Sequence, residues 1–189
     1  MFKNWQAIFT SDCEVIQISK SNFVYPIFKN GRSSLKEYAR QNNLLCLKNN
    51  EILKTKEIKI FLRDPLQRFV SGVHTAIELS NRKNKVNVSE FMSGVEKFKI
   101  YDRHFMPQTF WLYHLFKYFK GKVNLQPVQN LFDLIPNRDK PAIPNLDPER
   151  KGKILALEHK TYTDIDYKLI KKYINTSTNL KTIIRDLKK

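Results

Sequence analysis

Residues 58–71, Ile-Lys-Ile-Phe-Leu-Arg-Asp-Pro-Leu-Gln-Arg-Phe-Val-Ser, leave the chain little choice of local structure. The apolar, β-rich run 58–62 predicts a central strand. Pro65 cannot extend that strand but suits the first position of a helix, and Asp64 suits the cap before it. From there the apolar period changes. Phe69, Val73 and Ile77 recur at i, i+4 and i+8 and predict a helix over 65–79. A strand that stops at Arg63 and turns at once into a helix opens a β-α-β unit, and so argues for an α/β domain. Arg63 stands at the carboxyl end of the strand, where open α/β sheets bind ligands. Asp64, Arg68 and Ser71, spaced by four and three, share one helix face. A guanidinium and a hydroxyl beside a helix N-terminus make a phosphate site.

A second segment has the same design. The apolar run Val-Tyr-Pro-Ile-Phe at 24–28 leads into Lys29-Asn30-Gly31-Arg32-Ser33-Ser34 and then a polar helix over 35–41. Gly31 permits a tight backbone beside a ligand. Ser34 and Glu37 have the spacing of a capping box. Strand, basic glycine-containing loop and helix start again predict an anion site. The GxxxxGK[ST] loop of nucleotide triphosphatases is absent.

In this order the two segments resemble the sulfotransferases that use 3′-phosphoadenosine 5′-phosphosulfate (PAPS), and most closely their carbohydrate (family 2) branch. The family's K-x-x-x-[ST]-S loop holds the 5′-phosphosulfate and is matched by Lys29, Ser33 and Ser34. Its R-D-P-x-x-R-x-x-S segment holds the 3′-phosphate and is matched by Arg63, Asp64, Pro65, Arg68 and Ser71. Fainter echoes are Asp102-Arg-His-Phe-Met-Pro-Gln108, similar to an H-x-x-P-Q stretch, and the tyrosine- and aspartate-rich segment 162–169. The resemblance spans roughly 23–170. It implies a P-loop-like, three-layer α/β/α fold with a mostly parallel central sheet, formed as a single domain over 1–189. It implies PAPS as co-substrate, no metal, and sulfation of a carbohydrate-type hydroxyl. Lys29, Asn30, Gly31, Arg32, Ser33, Ser34, Arg63, Arg68 and Ser71 become the cofactor-binding set. Lys29 becomes the cation that meets charge on the bridging oxygen. Arg32 departs from the small residue expected there and is positioned for solvent or an acidic acceptor. Arg68 is read as a secondary site residue, more structural than ligand-binding, able to pair with Asp64 at i, i+4 and hold the turn.

A hydroxyl acceptor needs a base. His104 is the first candidate, with Asp102 two residues away. His74 is the next, with Glu78 one turn beyond, while His114, in an aromatic run, reads as core and His159 has no supporting context. Phe105, Trp111 and Tyr113 are candidates to stack on adenine or sugar, although such a run more often forms core.

The formal charge of +16 sets the competing reading, a non-catalytic module that binds nucleic acid or another polyanion. No nucleic-acid signature accompanies that charge, and specific nucleic-acid binding is not expected. Cys13 and Cys46 read as small buried residues, and no Cys/His spacing suggests zinc. No apolar run reaches membrane-spanning length and no signal peptide is visible, so the chain is expected to act in the cytoplasm, or in the Golgi lumen with an anchor left out.

Elsewhere, patterning predicts strands at 15–18, 23–28 and 123–125, and a turn at 48–51. It predicts helices over 87–98, with Asn87 and Glu90 capping, and over 163–173 and 179–187, plus an aromatic segment at 109–119. Residues 81–86 read as a loop. So does the stretch holding Pro136, Pro141, Pro144 and Pro148.

Overall fold

A computed structural model describes residues 13–27, 29–83, 87–97, 102–135, 148–157 and 159–188. The adjacent buried Val15 and Ile16 of β1 (Glu14–Ser19), one packed in each layer, and the apolar residues of β4 (Glu57–Leu62) build the sheet around which everything packs. The other strands are β2 (Asn22–Val24), β3 (Cys46–Lys48), β5 (Lys122–Pro127) and β6 (Thr176–Asn179), and the order across the sheet is β3-β1-β2-β4-β5-β6.

The centre is parallel: β2 pairs with β4, and β4 with β5. The other three pairings, β1–β2, β1–β3 and β5–β6, are antiparallel. The expected mostly parallel sheet is therefore parallel only at its core. The cause is local. Two residues, Lys20 and Ser21, join β1 to β2, and so short a connection permits only a hairpin. β6 is an addition that the polar sequence Thr-Ser-Thr-Asn did not signal.

Helices cover both faces. On one face α1 (Arg32–Gln41) and α5 (Gln129–Leu134) close over Ile16, Val24, Phe61, Leu35 and Leu131. On the other, α4 (Gln108–Tyr118), α7 (Lys160–Tyr173) and α8 (Leu180–Asp186) pack on Val15, Ile58, Ile60, Leu62, Val123 and Leu125. A satellite core forms where α2 (Pro65–Lys83), α3 (Val88–Glu96) and α6 (Pro148–Leu155) meet Phe105 and Tyr162. The result is an open three-layer α/β arrangement.

Several boundaries move for physical reasons. The strand expected at 23–28 ends at Val24, because Pro26 has no N–H to continue the ladder; Tyr25 still donates to the Lys59 carbonyl at 3.0 Å. Phe28 lies outside the described residues. α2 runs on to Lys83, into the expected loop 81–86, of which 84–86 lie outside the description. Pro148 opens α6 rather than sitting in a loop, a position proline favours; Pro136, Pro141 and Pro144 lie outside the described residues, as does Phe98 at the expected end of α3. The turn expected at 48–51 is a 3-10 helix, Asn49–Lys54. Asn87 caps α3 as expected, accepting from the N–H groups of Ser89 and Glu90.

Candidate anion-binding site

β2 and β4 are parallel neighbours, so the loops that follow them open on the same edge of the sheet. The first loop enters α1. Gly31 caps that helix at φ 79°, in the left-handed region that glycine tolerates, and the first intrahelical bond runs from the Leu35 N–H to the Gly31 carbonyl. The N–H groups of Arg32, Ser33 and Ser34 precede that bond and face the helix entrance. Ser34 is thus inside the first turn and does not cap, contrary to the capping box expected from its spacing. Glu37 instead accepts from Arg40 and Gln41.

The second loop enters α2. The Asp64 carboxylate accepts from the Gln67 N–H at 2.8 Å, the helix cap that the sequence predicts. Arg68 does not pair with Asp64. It points inward, is 1 % exposed, and donates from Nη1 to the Met106 carbonyl. Asp166 is the carboxylate whose charge acts on it. Arg68 therefore shapes the site's field from behind instead of offering an open ligand contact.

One side chain fastens the two loops together. Gln108, fully buried at the start of α4, accepts from the Arg63 N–H at 2.9 Å and returns a bond from Nε2 to the Arg63 carbonyl at 2.9 Å. The same Oε1 accepts from Asn30 Nδ2 at 2.5 Å, and Asn30 also donates to the Phe61 carbonyl at the end of β4. Asn30 is thus a tie between the loops, 3 % exposed, more than a ligand contact. Gln108 is held in turn by Asp166, which accepts from the N–H groups of Gln108 and Thr109 and from the Thr109 hydroxyl. Burial pushes the Asp166 carboxyl up, against the pull of Arg68 and these hydrogen bonds. Gln108 and Asp166 sit in the two fainter sequence echoes. Nothing local in the sequence marks them as the junction, because their partners are 45 to 78 residues away.

Lys29 adopts φ 66°, left-handed and unusual for a residue with a side chain. Its ammonium donates to the Thr75 hydroxyl on α2. Burial first, and then Arg63 and Arg68, hold that ammonium below its ordinary value. Burial likewise lowers Arg63. Neither Lys29 nor Arg63 has an ion pair among the described residues. Ser71, one turn before Thr75, is nearly buried and its carbonyl accepts from the Thr75 hydroxyl. Arg32 is half-buried, lowered chiefly by burial, with Glu14 opposing and Arg103 adding to the shift. Ser33 is exposed on the first turn of α1.

The loop carrying Arg103 and His104 leans on α2 at Gly72. A Cβ built there would lie 2.3 Å from the His104 carbonyl oxygen. Asp102 accepts from the His104 N–H at 2.8 Å and lies 2.5 Å from its Nδ1. His74 stands between Gly72 and Thr75 on α2, and Glu78 is held by Arg150 of α6. His114 is core, with Nδ1 2.8 Å from the Tyr25 hydroxyl. Phe105 and Trp111 are also core and cannot stack on a ligand; Phe105 packs edge-on to Phe69 and Tyr162. No group of three metal-ligating side chains occurs among the described residues, and no helix there is long and apolar enough to cross a membrane. No protein-family model, curated protein or solved structure matches this chain.

Proposed function

We propose that this chain is a sulfotransferase that moves a sulfuryl group from PAPS to an acceptor hydroxyl, preferentially of a carbohydrate. One observation carries the reading. Two helix-opening loops meet at the carboxyl edge of adjacent parallel strands, tied through Gln108, with Lys29, Arg63 and Arg68 clustered and, among the described residues, no carboxylate paired to Lys29 or Arg63. Asp166 offsets Arg68, but Lys29 and Arg63 beside it still cost free energy unless an anion joins them, and two helix N-termini add to the attraction. A nucleotide carrying phosphate at both its 3′ and 5′ positions supplies two separate anionic groups for two loops. On this reading the open sheet is of the sulfotransferase type.

The chemistry needs alignment and charge stabilisation more than covalent help. The acceptor oxygen attacks sulfur, the bond from sulfur to the 5′-phosphate oxygen breaks, and 3′-phosphoadenosine 5′-phosphate leaves. Lys29 meets the charge that develops on the departing oxygen. The N–H groups opening α1 hold the 5′-phosphate, and Arg63 with Ser71 holds the 3′-phosphate. The acceptor proton passes to His104.

The test is calorimetric titration with 3′-phosphoadenosine 5′-phosphate against 5′-AMP and ADP, at ~150 mM salt to suppress generic charge attraction. Binding that requires the 3′-phosphate and is lost in Arg63→Ala is expected. Weak binding indifferent to the 3′-phosphate sinks the reading in favour of a polyanion-binding module.

A further inference from the structure

The strand register sets a second charged feature on the opposite edge of the sheet. Glu57 aligns with Lys122, and Lys122 with Asn179. Val24 aligns with Lys59, which brings Asn22 and the 20–21 turn level with Glu57. The segments 19–22, 53–57, 120–122 and 179–181 therefore lie along one edge, at the amino ends of the parallel strands. They carry Lys20, Lys54, Lys56, Lys120, Lys122 and Lys181, all exposed, and a single carboxylate, Glu57, which is half-buried. Leu53 stands among them at 59 % exposure.

We propose that this edge docks on an anionic lipid surface. Six exposed lysines along one edge, of which Lys120 folds back onto the Phe116 carbonyl, attract a sheet of negative charge, each adding to the attraction within a Debye length. The composition selects the partner. These segments contain no arginine for bidentate phosphate or base contacts, and the half-buried Phe116 ring beside them is covered by the Lys120 ammonium, 3.4 Å from its centroid, so they lack the usual means of gripping nucleic acid. An exposed leucine beside lysines fits the headgroup boundary, where the apolar side chain enters and the ammonium groups stay at the surface. Docking here leaves the carboxyl edge, with Lys29 and Arg63, facing away from the bilayer. The inference does not depend on the sulfotransferase reading.

Sedimentation with vesicles of phosphatidylcholine, with and without phosphatidylserine, tests it at ~150 mM salt. The full chain is expected to bind only the phosphatidylserine vesicles. The triple variant Lys54→Glu/Lys56→Glu/Lys122→Glu is expected to lose about tenfold or more in binding. A control with the same change in net charge, Lys151→Glu/Lys168→Glu/Lys171→Glu, is expected to lose less than about threefold. Leu53→Ala, which leaves the charge intact, is expected to weaken binding too. Failure to bind phosphatidylserine vesicles overturns the proposal, as does equal loss in the two triple variants. A single-stranded oligonucleotide that outcompetes vesicles for this edge also overturns it, by making nucleic acid the partner.

Discussion

The Lys29 ammonium donates a 2.7 Å hydrogen bond to the Thr75 hydroxyl, which donates in turn to the Ser71 carbonyl at 3.0 Å. The cation expected to act on the bridging oxygen is thus held on α2, at the helix expected to bind the other end of the cofactor. Lys29→Ala is expected to abolish turnover while leaving most of the affinity for 3′-phosphoadenosine 5′-phosphate. Arg63→Ala is expected to weaken that affinity by ~1.5–3 kcal/mol, the worth of one charged hydrogen bond. Calorimetry and single-turnover rates on both variants separate the roles; equal losses of binding and rate in both contradict them.

The same lysine makes affinity depend on pH. Burial, then Arg63 and Arg68, depress Lys29 below its ordinary 10.5, and a bound phosphate favours the protonated form. Above the depressed value, binding is accompanied by proton uptake, so affinity falls as pH rises, in total by no more than the modest loss expected of Lys29→Ala. In Lys29→Arg the side chain stays charged and the fall over that range is expected to disappear. Titrations in two buffers of different ionisation enthalpy check the proton uptake, and an unchanged slope in the variant removes Lys29 as its source.

How far the sequence could be read follows the range of each interaction. The β4–α2 turn and its Asp64 cap are local, so residues 58–71 announced them. The Lys29 and Arg63 loops were legible for the same reason. The Gln108 junction was not, since it joins β4, the first loop and α7 through partners distant in the chain. For Arg68 it is the partner that differs from the sequence reading, because the i, i+4 spacing to Asp64 offers a surface pair. The fold instead buries that guanidinium against Met106, where desolvation and Asp166 decide its partners. Ser34 and Glu37 match a capping box, but α1 begins earlier, with Gly31 at its N-cap, so Ser34 falls inside the first turn.

Gly72 is where the histidine loop rests on α2. A Cβ there would meet the His104 oxygen at 2.3 Å, its carbonyl carbon at 2.6 Å and the Phe105 Cα at 2.8 Å. All three are backbone or backbone-attached atoms that no rotamer change can move. Gly72→Ala is therefore expected to displace the loop and cost about 1–3 kcal/mol of stability. Turnover should fall, and cofactor affinity, which rests on the other two loops, should stay within about threefold. Denaturant unfolding and calorimetry on one preparation decide it; a comparable loss of cofactor affinity would join this loop to the cofactor site.

Asp166 carries a structural burden out of proportion to its single carboxylate. It accepts from two N–H groups that open α4 and from the Thr109 hydroxyl, and it faces the buried Arg68. Asp166→Ala removes the carboxylate that offsets that guanidinium and uncaps the helix start, an expected loss of about 3–5 kcal/mol. Replacing Arg68 by Met in the same chain should recover part of it, since the stranded charge is then gone. A double-mutant cycle by urea unfolding measures the recovery, and strict additivity would mean the two residues do not interact.

The Asp102–His104 pair yields the last prediction. A proton on Nδ1, donated to Asp102, puts the basic lone pair on Nε2, the arrangement a general base needs. His104→Ala is expected to lower kcat by ~10²–10⁴-fold with cofactor affinity unchanged, and His74→Ala to have a smaller effect. The pair also marks the acid side of stability. Burial pushes the Asp102 carboxyl up, but its hydrogen bonds to the His104 side chain and backbone, with charge from His104 and Arg103, more than offset that and hold it below 3.8. A carboxyl lowered in the fold contributes stability that is present above its unfolded value and is lost as pH falls through the folded one. Asp102→Asn should therefore flatten the acid limb of Tm against pH and lower kcat through the altered hydrogen bond to His104. If His74→Ala proves the more damaging change, the proton passes to α2 and His104 serves only to hold the loop against Gly72.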